Sequence, residues 1–294
     1  MSKGRNTAGS GGRIRKSLAG RGPTPKAEDR IYHKAHQVKQ ATERRAAHQP
    51  QRAKAVGEWV VGRNPVLEAL LAGVPVKTAY IGEGADRDDR LREILRFAAT
   101  HSIPMLQATR SELDRLTGGA VHQSVALLLP GYEYAELTDV IEAAQDGGIV
   151  VACDHITDPH NLGAIIRSAA AFGAAGVVIP NRRSAKMTAA AWKASAGAAA
   201  RLPVVQVVNL NQALEQFSRD GFTILGLAGE AGELIDQVHP DQPVVLVVGS
   251  EGEGLSRLVR EHCDTLIRIP IAGEVESLNA SVATSIGLYE LTRA

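Results

Sequence analysis

The chain is 294 residues long, with 44% hydrophobic and 22% charged residues, a composition that suits a globular protein with room for two domains. No apolar run approaches the roughly 20 residues that cross a bilayer, so no membrane partner is expected. A net charge of +1 argues against nucleic acid only until it is divided: residues 1–56 carry 14 Lys and Arg against three Asp and Glu, about +11, and the rest carries 19 against 29, about −10. The sum conceals a basic arm joined to an acidic body.

In chain order, residues 1–30 are dominated by Gly, Ser, Pro, Lys and Arg, with Ile14 and Leu18 isolated among them. So few apolar groups do not offset the entropy of ordering, and a solvated arm is expected over residues 1–56. No apolar run follows the basic start, which argues against a secretory signal and for a cytoplasmic protein. From Gly57 the pattern becomes that of a small α/β unit: Trp59, Val60 and Val61, a helix from Pro65 to Leu71, a strand over Lys77 to Ile81, a helix over Asp88 to Thr100, a strand over Pro104 to Gln107, a helix over Arg110 to Leu116 and a strand over Val125 to Leu129. Pro130 and Gly131 open a linker, 131–147, that contains a helix over Leu137 to Ala144.

From Ile149 onward, short apolar runs alternate with helical segments, as in βα units around a parallel sheet. Six strands are expected: Ile149 to Asp154, Gly176 to Pro180, Pro203 to Val208, Phe222 to Ala228, Val244 to Gly249 and Leu266 to Pro270. The two cysteines, Cys153 and Cys263, lie in apolar or helical stretches with no second Cys nearby, so buried thiols are expected rather than a disulfide or a metal site.

Ligands of open α/β sheets bind outside the carboxyl ends of the strands, so chemistry is sought in the loops there. The loop from Asp154 to Asn161 runs into a helix whose stripe is Leu162, Ile165, Ile166 and Ala169, with Asn161 as expected N-cap and Gly173 at the end. Arg167 lies about 140° around that helix from Leu162, leaning back toward the loop. It suits a phosphate held at the helix start, and equally an ion pair with Asp154 or Asp158. The loop Gly249-Ser250-Glu251-Gly252-Glu253-Gly254 allows close backbone approach. Its G-x-x-G-x-G spacing and two carboxylates disfavour a dinucleotide, and no Walker-type motif occurs. The third loop, Ile269 to Asn279, leads into a last helix with Ser277 as expected N-cap.

Taken together, Asp158-Pro159-His160-Asn161-Leu162-Gly163-Ala164 with Arg167, Gly249 to Leu255, and Ile269-Pro270 with Ser277-Leu278-Asn279-Ala280-Ser281-Val282-Ala283 resemble the three motifs of the SpoU/TrmH branch of SPOUT RNA methyltransferases. The resemblance runs through most of residues 57–294, and Gly118 to Gln123 is similar to the RNA-binding domain of the RlmB-type enzymes that methylate a guanosine ribose in 23S rRNA. It implies an α/β SPOUT domain over 148–294, with a parallel sheet and a C-terminal trefoil knot that periodicity alone would have drawn as an open sheet. It also implies a small α/β, L30e/L7Ae-like RNA-binding domain over 57–130, preceded by the basic disordered arm.

The same resemblance implies S-adenosylmethionine as cofactor against Leu227, Ala228, Gly229, Gly249, Ile269 and Leu278, and RNA, foremost 23S rRNA, as substrate; the alternatives are the same chemistry on tRNA or another rRNA nucleotide, including antibiotic-resistance sites, and a noncatalytic RNA-binding ribosome-assembly factor. It further implies a homodimer and no metal. By motif position Arg167, Asn161, Glu251, Ser277 and Asn279 fall at the transfer site, with Glu251 orienting Arg167 or a neighbouring amide, and His122, Gln123, His160 and Arg167 fall to RNA. The ring nitrogens of His155 and His160 are alternative proton acceptors. The resemblance does not extend to residues 1–56, whose charge gives its own expectation. Each neutralised phosphate adds a slope of about −0.7 to −0.9 to log K against log salt. Deleting the arm is expected to weaken RNA binding and flatten that slope while affinity for S-adenosylmethionine is unchanged; titrations of both chains across a salt series check it.

Overall fold

The computed structural model describes residues 58–85, 88–240, 242–273 and 277–293, and the basic arm expected over 1–56 lies outside them. Trp59–Val61 (β1), Arg63–Leu71 (α1), Thr78–Gly82 (β2), Asp89–Thr100 (α2), Met105–Ala108 (β3), Arg110–Leu116 (α3) and Val125–Leu128 (β4) form a first lobe. Its sheet has the order β1-β4-β2-β3, with β2 and β3 parallel and β4 antiparallel to β1 and β2. Leu70, Leu91, Ile94 and Leu127 fill the space between sheet and helices. Local chemistry sets the helix starts. Asp88 accepts the Leu91 amide at 2.8 Å, and Thr109 with Glu112 forms a reciprocal capping box ahead of α3.

The second lobe continues through Leu137–Ala144 (α4), Ile149–Cys153 (β5), Pro159–Ala171 (α5), Gly176–Pro180 (β6), Ala189–Ala194 (α6), Val204–Val207 (β7), Leu210–Arg219 (α7), Thr223–Leu227 (β8), Glu233–Leu234 (β9), Val244–Val248 (β10), Arg257–Glu261 (α8), Thr265–Arg268 (β11) and Ala280–Thr292 (α9). Seven strands pair in the order β7-β6-β5-β10-β8-β11-β9, every pairing parallel. Both faces are covered, which is why the strands read as unbroken apolar runs. Val151, Cys153 and Leu246 pack with Leu162, Ile165, Ile166 and Leu288 on one side, while Val150, Ala152, Val245 and Val247 pack with Leu214, Phe217 and Val259 on the other. All six expected strands are present, within two residues at either end. The seventh, β9, has two residues, one of them charged, and so carries no periodic signal.

Two expected helix caps are corrected. Helix α5 starts at Pro159, with Asp158 accepting the His160 amide at 2.9 Å, so Asn161 lies inside the first turn and is not the cap. Proline at the first position loses no hydrogen bond there and has its φ preset, which moves the start back three residues. Helix α9 is capped by Asn279 and not Ser277, because the Asn279 Oδ1 accepts the Ser281 and Val282 amides at 2.9 and 3.3 Å. Cys153 is buried and Cys263 half-buried; burial, with Asp154 beside one and Asp264 beside the other, pushes both thiols up to about 12 and keeps them protonated.

Helix α5 lies against α6, α9 and the sheet. Its close approach to α6 depends on Gly163, where a Cβ would sit 2.3 Å from the Ala191 carbonyl oxygen and 2.5 Å from the Ala194 Cβ. The Gly163→Ala variant must spread these helices and is expected to lose about 1–3 kcal/mol, which thermal unfolding should register as a Tm lower by roughly 2–10 °C.

Candidate active site at the carboxyl end of the parallel sheet

The loops after β5, β8, β10 and β11 emerge at one end of the second sheet. After β10, Gly249 turns so tightly that a Cβ would stand 2.2 Å from the Gly254 carbonyl carbon. The Ser250 and Gly254 amides each donate to the other residue's carbonyl at 3.1 and 3.0 Å, and Gly252 and Gly254 hold φ of 87° and 66°. Only glycine enters such a turn without strain, so the spacing noted in the sequence is a closure requirement.

The turn forms one rim of a cleft of about 410 Å³. Leu227, Ala228, Gly229, Gly249, Ile269 and Leu278 all line it, together with Glu251 and Ser277. Val248, Ile271, Ala280 and Ala283 add apolar wall that the motif reading missed, though Ala283 follows Asn279 by one helical turn and could have been placed from that spacing. At the mouth Glu230 pairs with Arg260, a contact between segments 30 residues apart for which local sequence holds no signal. The charged lining is Glu230, Glu251 and Glu253 against Arg260 and Arg268.

Beside the cleft, Glu251 is the hub of a small network. Its Oε1 accepts from the Asn161 side-chain amide at 2.8 Å, from the Asn279 amide and from the Ala280 backbone N–H at 3.4 Å. The Asn279 amide also donates to the Asn161 Oδ1 at 2.9 Å. One carboxylate thus ties the first turn of α5 to the start of α9, where the helix dipole favours negative charge. Of the two partners expected for Glu251, the structure supplies the amide and not Arg167.

Arg167 is exposed on α5, about 9 Å along the axis from Asn161 at 1.5 Å per residue. Among the described residues it makes no ion pair. Both carboxylates that could have claimed it are engaged: Asp154, buried, meets the His155 Nδ1 at 2.6 Å and the Ser256 amide at 2.7 Å, and Asp158 caps α5. Its neighbour Ser168 shares a 2.7 Å hydrogen bond with Ser285 of α9. His160 is exposed on the first turn of α5. His122 and Gln123 belong to the other lobe. The His122 ring is buried, its Nε2 donating to Asp114 at 3.1 Å and its Nδ1 accepting the Ser124 amide at 3.0 Å. Gln123 is exposed, with its Oε1 accepting the Arg63 amide at 2.9 Å. Among the described residues no three His, Cys, Asp or Glu side chains gather in a way that could hold a metal ion, and no helix is long and apolar enough to cross a membrane.

A parallel α/β domain whose carboxyl-end loops enclose a glycine-rimmed cleft belongs to the class of open-sheet proteins that bind a small ligand there. More particularly, the chain belongs to the SpoU family of RNA methyltransferases: residues 148–289 match the SpoU rRNA Methylase family, and residues 59–135 match the family described as RNA 2′-O ribose methyltransferase substrate binding. It is 48% identical over 289 residues to an uncharacterized tRNA/rRNA methyltransferase of Mycolicibacterium paratuberculosis, covering 98% of this chain and 92% of that one. It is 49% identical over 290 residues to a like-named protein of Mycobacterium ulcerans, again covering 98% and 92%. Among solved structures, it is similar to the SpoU methyltransferase AviRb from Streptomyces viridochromogenes in complex with the cofactor AdoMet, at a TM-score of 0.58 and 27% identity over 82% of this chain and 91% of that one. An AdoMet-bound rRNA methyltransferase from Sinorhizobium meliloti matches with a TM-score of 0.56 and 25% identity, covering 82% and 89%.

The network makes a prediction independent of activity. In a double-mutant cycle of Asn161→Ala and Glu251→Ala read by chemical unfolding, the two changes are expected to couple by about 1 kcal/mol, because either one alone already removes the shared hydrogen bond.

Proposed function

We propose that the chain transfers a methyl group from S-adenosylmethionine to a ribose 2′-hydroxyl of RNA, with a guanosine of 23S rRNA as the expected target. The observation that carries this reading is the convergence of Leu227, Ala228, Gly229, Gly249, Ile269 and Leu278, drawn from three separate loops, on one cleft. The residues fit the cofactor. The volume suits a nucleoside-sized ligand, Leu227, Ile269 and Leu278 offer apolar surface for a purine, and a side chain added at Gly229 would meet no protein atom within 4 Å. The carboxylates at the rim favour a ligand that carries positive charge and disfavour a pyrophosphate.

When bound, S-adenosylmethionine supplies a methyl group already activated by its sulfonium. What remains for the protein is to hold the ribose hydroxyl in line, accommodate its proton and exclude water. In this reading Asn161, Glu251 and Asn279 fix the junction of α5 and α9, and Ser277 adds a polar group at the cleft. Arg167 grips the phosphate beside the target ribose and stabilises the developing alkoxide. A guanidinium is a poor general base, so the proton passes to phosphate or water. His160 faces the RNA, and His122 acts from within the first lobe by holding the loop that presents Gln123.

The same reading assigns residues 57–130 to RNA recognition, 131–147 to a linker, 148–294 to catalysis and 1–56 to a basic arm, in a cytoplasmic protein. The return of the chain from the sheet edge at β9 to its centre at β10, then back across β8 to β11, supports taking the C-terminal segment as a trefoil knot. Val282 and Tyr289, large side chains left 46% and 51% exposed on α9, support a homodimer formed against that helix.

Single-turnover methylation separates the roles of Arg167. Arg167→Ala is expected to lower the rate by 100-fold or more and Arg167→Lys by less, with S-adenosylmethionine binding unchanged in both. Full activity in Arg167→Ala would remove this side chain from the mechanism. Mapping ribose methylation in rRNA and tRNA from a deletion strain identifies the nucleotide.

A further inference from the structure

The loop after β6, residues 181–187, carries Arg182, Arg183 and Lys186 on a body whose net charge is about −10. All three are exposed, no carboxylate lies within the loop, and among the described residues none of them makes an ion pair. The loop is nevertheless firmly anchored. The Asn181 amide donates to the Val207 carbonyl at 2.8 Å, the Ala185 amide to the Ile156 carbonyl at 2.7 Å and the Ser184 hydroxyl to the same carbonyl at 3.2 Å. Ala185 is buried in the core beside Ile156, and the Met187 amide donates to the Tyr134 hydroxyl at 3.1 Å. Cations on an anchored loop lose less entropy on meeting a ligand than cations on a free one.

Position gives the cluster its meaning. Strand order places the loop of β6 next to the loop of β5, and Ile156, its anchor, lies in the segment that leads from β5 into α5, two residues before Asp158 and five before Asn161. Along the carboxyl end of the sheet the rim therefore runs from Arg182, Arg183 and Lys186 at β6, past His160 and Arg167 on α5, to the cleft, where Glu251 and Glu253 after β10 and Glu230 after β8 outnumber Arg260 and Arg268. The cationic end adjoins the transfer site and the anionic end encloses the cofactor cleft.

We propose that Arg182, Arg183 and Lys186 bind the phosphodiester backbone of the RNA flanking the methylated nucleotide, so that the substrate enters from the β6 side and meets the cofactor cleft across α5. This rests on the proposed methyltransferase function and adds to it the face by which RNA enters. Arg167 continues the same cationic line toward the reacting ribose, whereas around the cleft Glu251 and Glu253 offer a phosphate no such partner.

The test compares the full chain with Arg182→Gln/Arg183→Gln/Lys186→Gln and with a control, Arg219→Gln, which changes a charge at the far end of α7. Binding to a 23S rRNA transcript is titrated across a KCl series, and S-adenosylmethionine binding and methylation are measured in parallel. The triple variant is expected to keep its S-adenosylmethionine affinity, to bind the transcript at least 10-fold more weakly, and to show a log K against log salt slope shallower by about 2.1–2.7, as three lost contacts at 0.7–0.9 each require. The control is expected to keep the wild-type slope. An unchanged slope in the triple variant, or an equal loss per charge in the control, overturns the proposal while leaving the methyltransferase reading intact. A wild-type chain that holds S-adenosylmethionine yet methylates no RNA overturns that reading itself, and the loop's role with it.

Discussion

Strand β10 is paired on both edges, by β5 and β8, and buried on both faces, so every residue from Val244 to Val248 must be apolar and every backbone group must find its partner in the sheet. That constraint fixes the point at which the chain leaves the sheet. Val248 is still buried, and the next residue, Gly249, turns against Gly254 in a space that admits no side chain. The position of Glu251 is the consequence: a strand that cannot slide, followed by a turn that cannot open, delivers one carboxylate to the junction of two helices.

At that junction packing and chemistry become the same problem. Helix α5 is held by Gly163 against α6 and by Asn161 against Glu251, while α9 is held by Asn279 against the same carboxylate and by Ser285 against Ser168. Arg167 lies between Asn161 and Ser168, so its backbone is fixed on both sides while its side chain remains exposed. The phosphate contact proposed for its guanidinium requires that it not be tied to Asp154 or Asp158. The structure gives those two carboxylates other work, one bridging His155 and the Ser256 amide and the other capping α5.

How much of this was legible in the sequence follows from where each signal resides. The buried strands were readable because double burial makes them continuous apolar runs, and Arg110–Leu116 and Leu137–Ala144 were placed to the residue because their stripes are local. The caps of α5 and α9 were misplaced because Asp158 and Asn161, like Ser277 and Asn279, are all acceptable caps by residue type. Backbone geometry alone decides between them. The motifs imply residues that do line the cleft and an amide as one possible partner of Glu251, but not that both Asn161 and Asn279 supply it, since they lie 90 and 28 residues from Glu251 and meet it only through the strand order. Helical spacing put Arg167 near the loop and left its partner open. Only the placement of Asp154 and Asp158 removed the pairing alternative.

Net charge was the least informative quantity, and the geometry explains why. Screening limits the reach of a surface charge to about 8–10 Å at physiological salt, so carboxylates elsewhere on the body do little to cancel cations at the β6 loop. What a polyanion meets is the local sequence of charge along the rim, from Arg182 and Arg183 through Arg167 to Glu251 and Glu253. In the proposed arrangement, carboxylates further along the rim favour the orientation in which the RNA backbone lies over the β6 loop. For a long, repetitively charged substrate, a few cations held on an anchored loop beside uncancelled carboxylates are enough to distinguish one orientation of binding from its reverse.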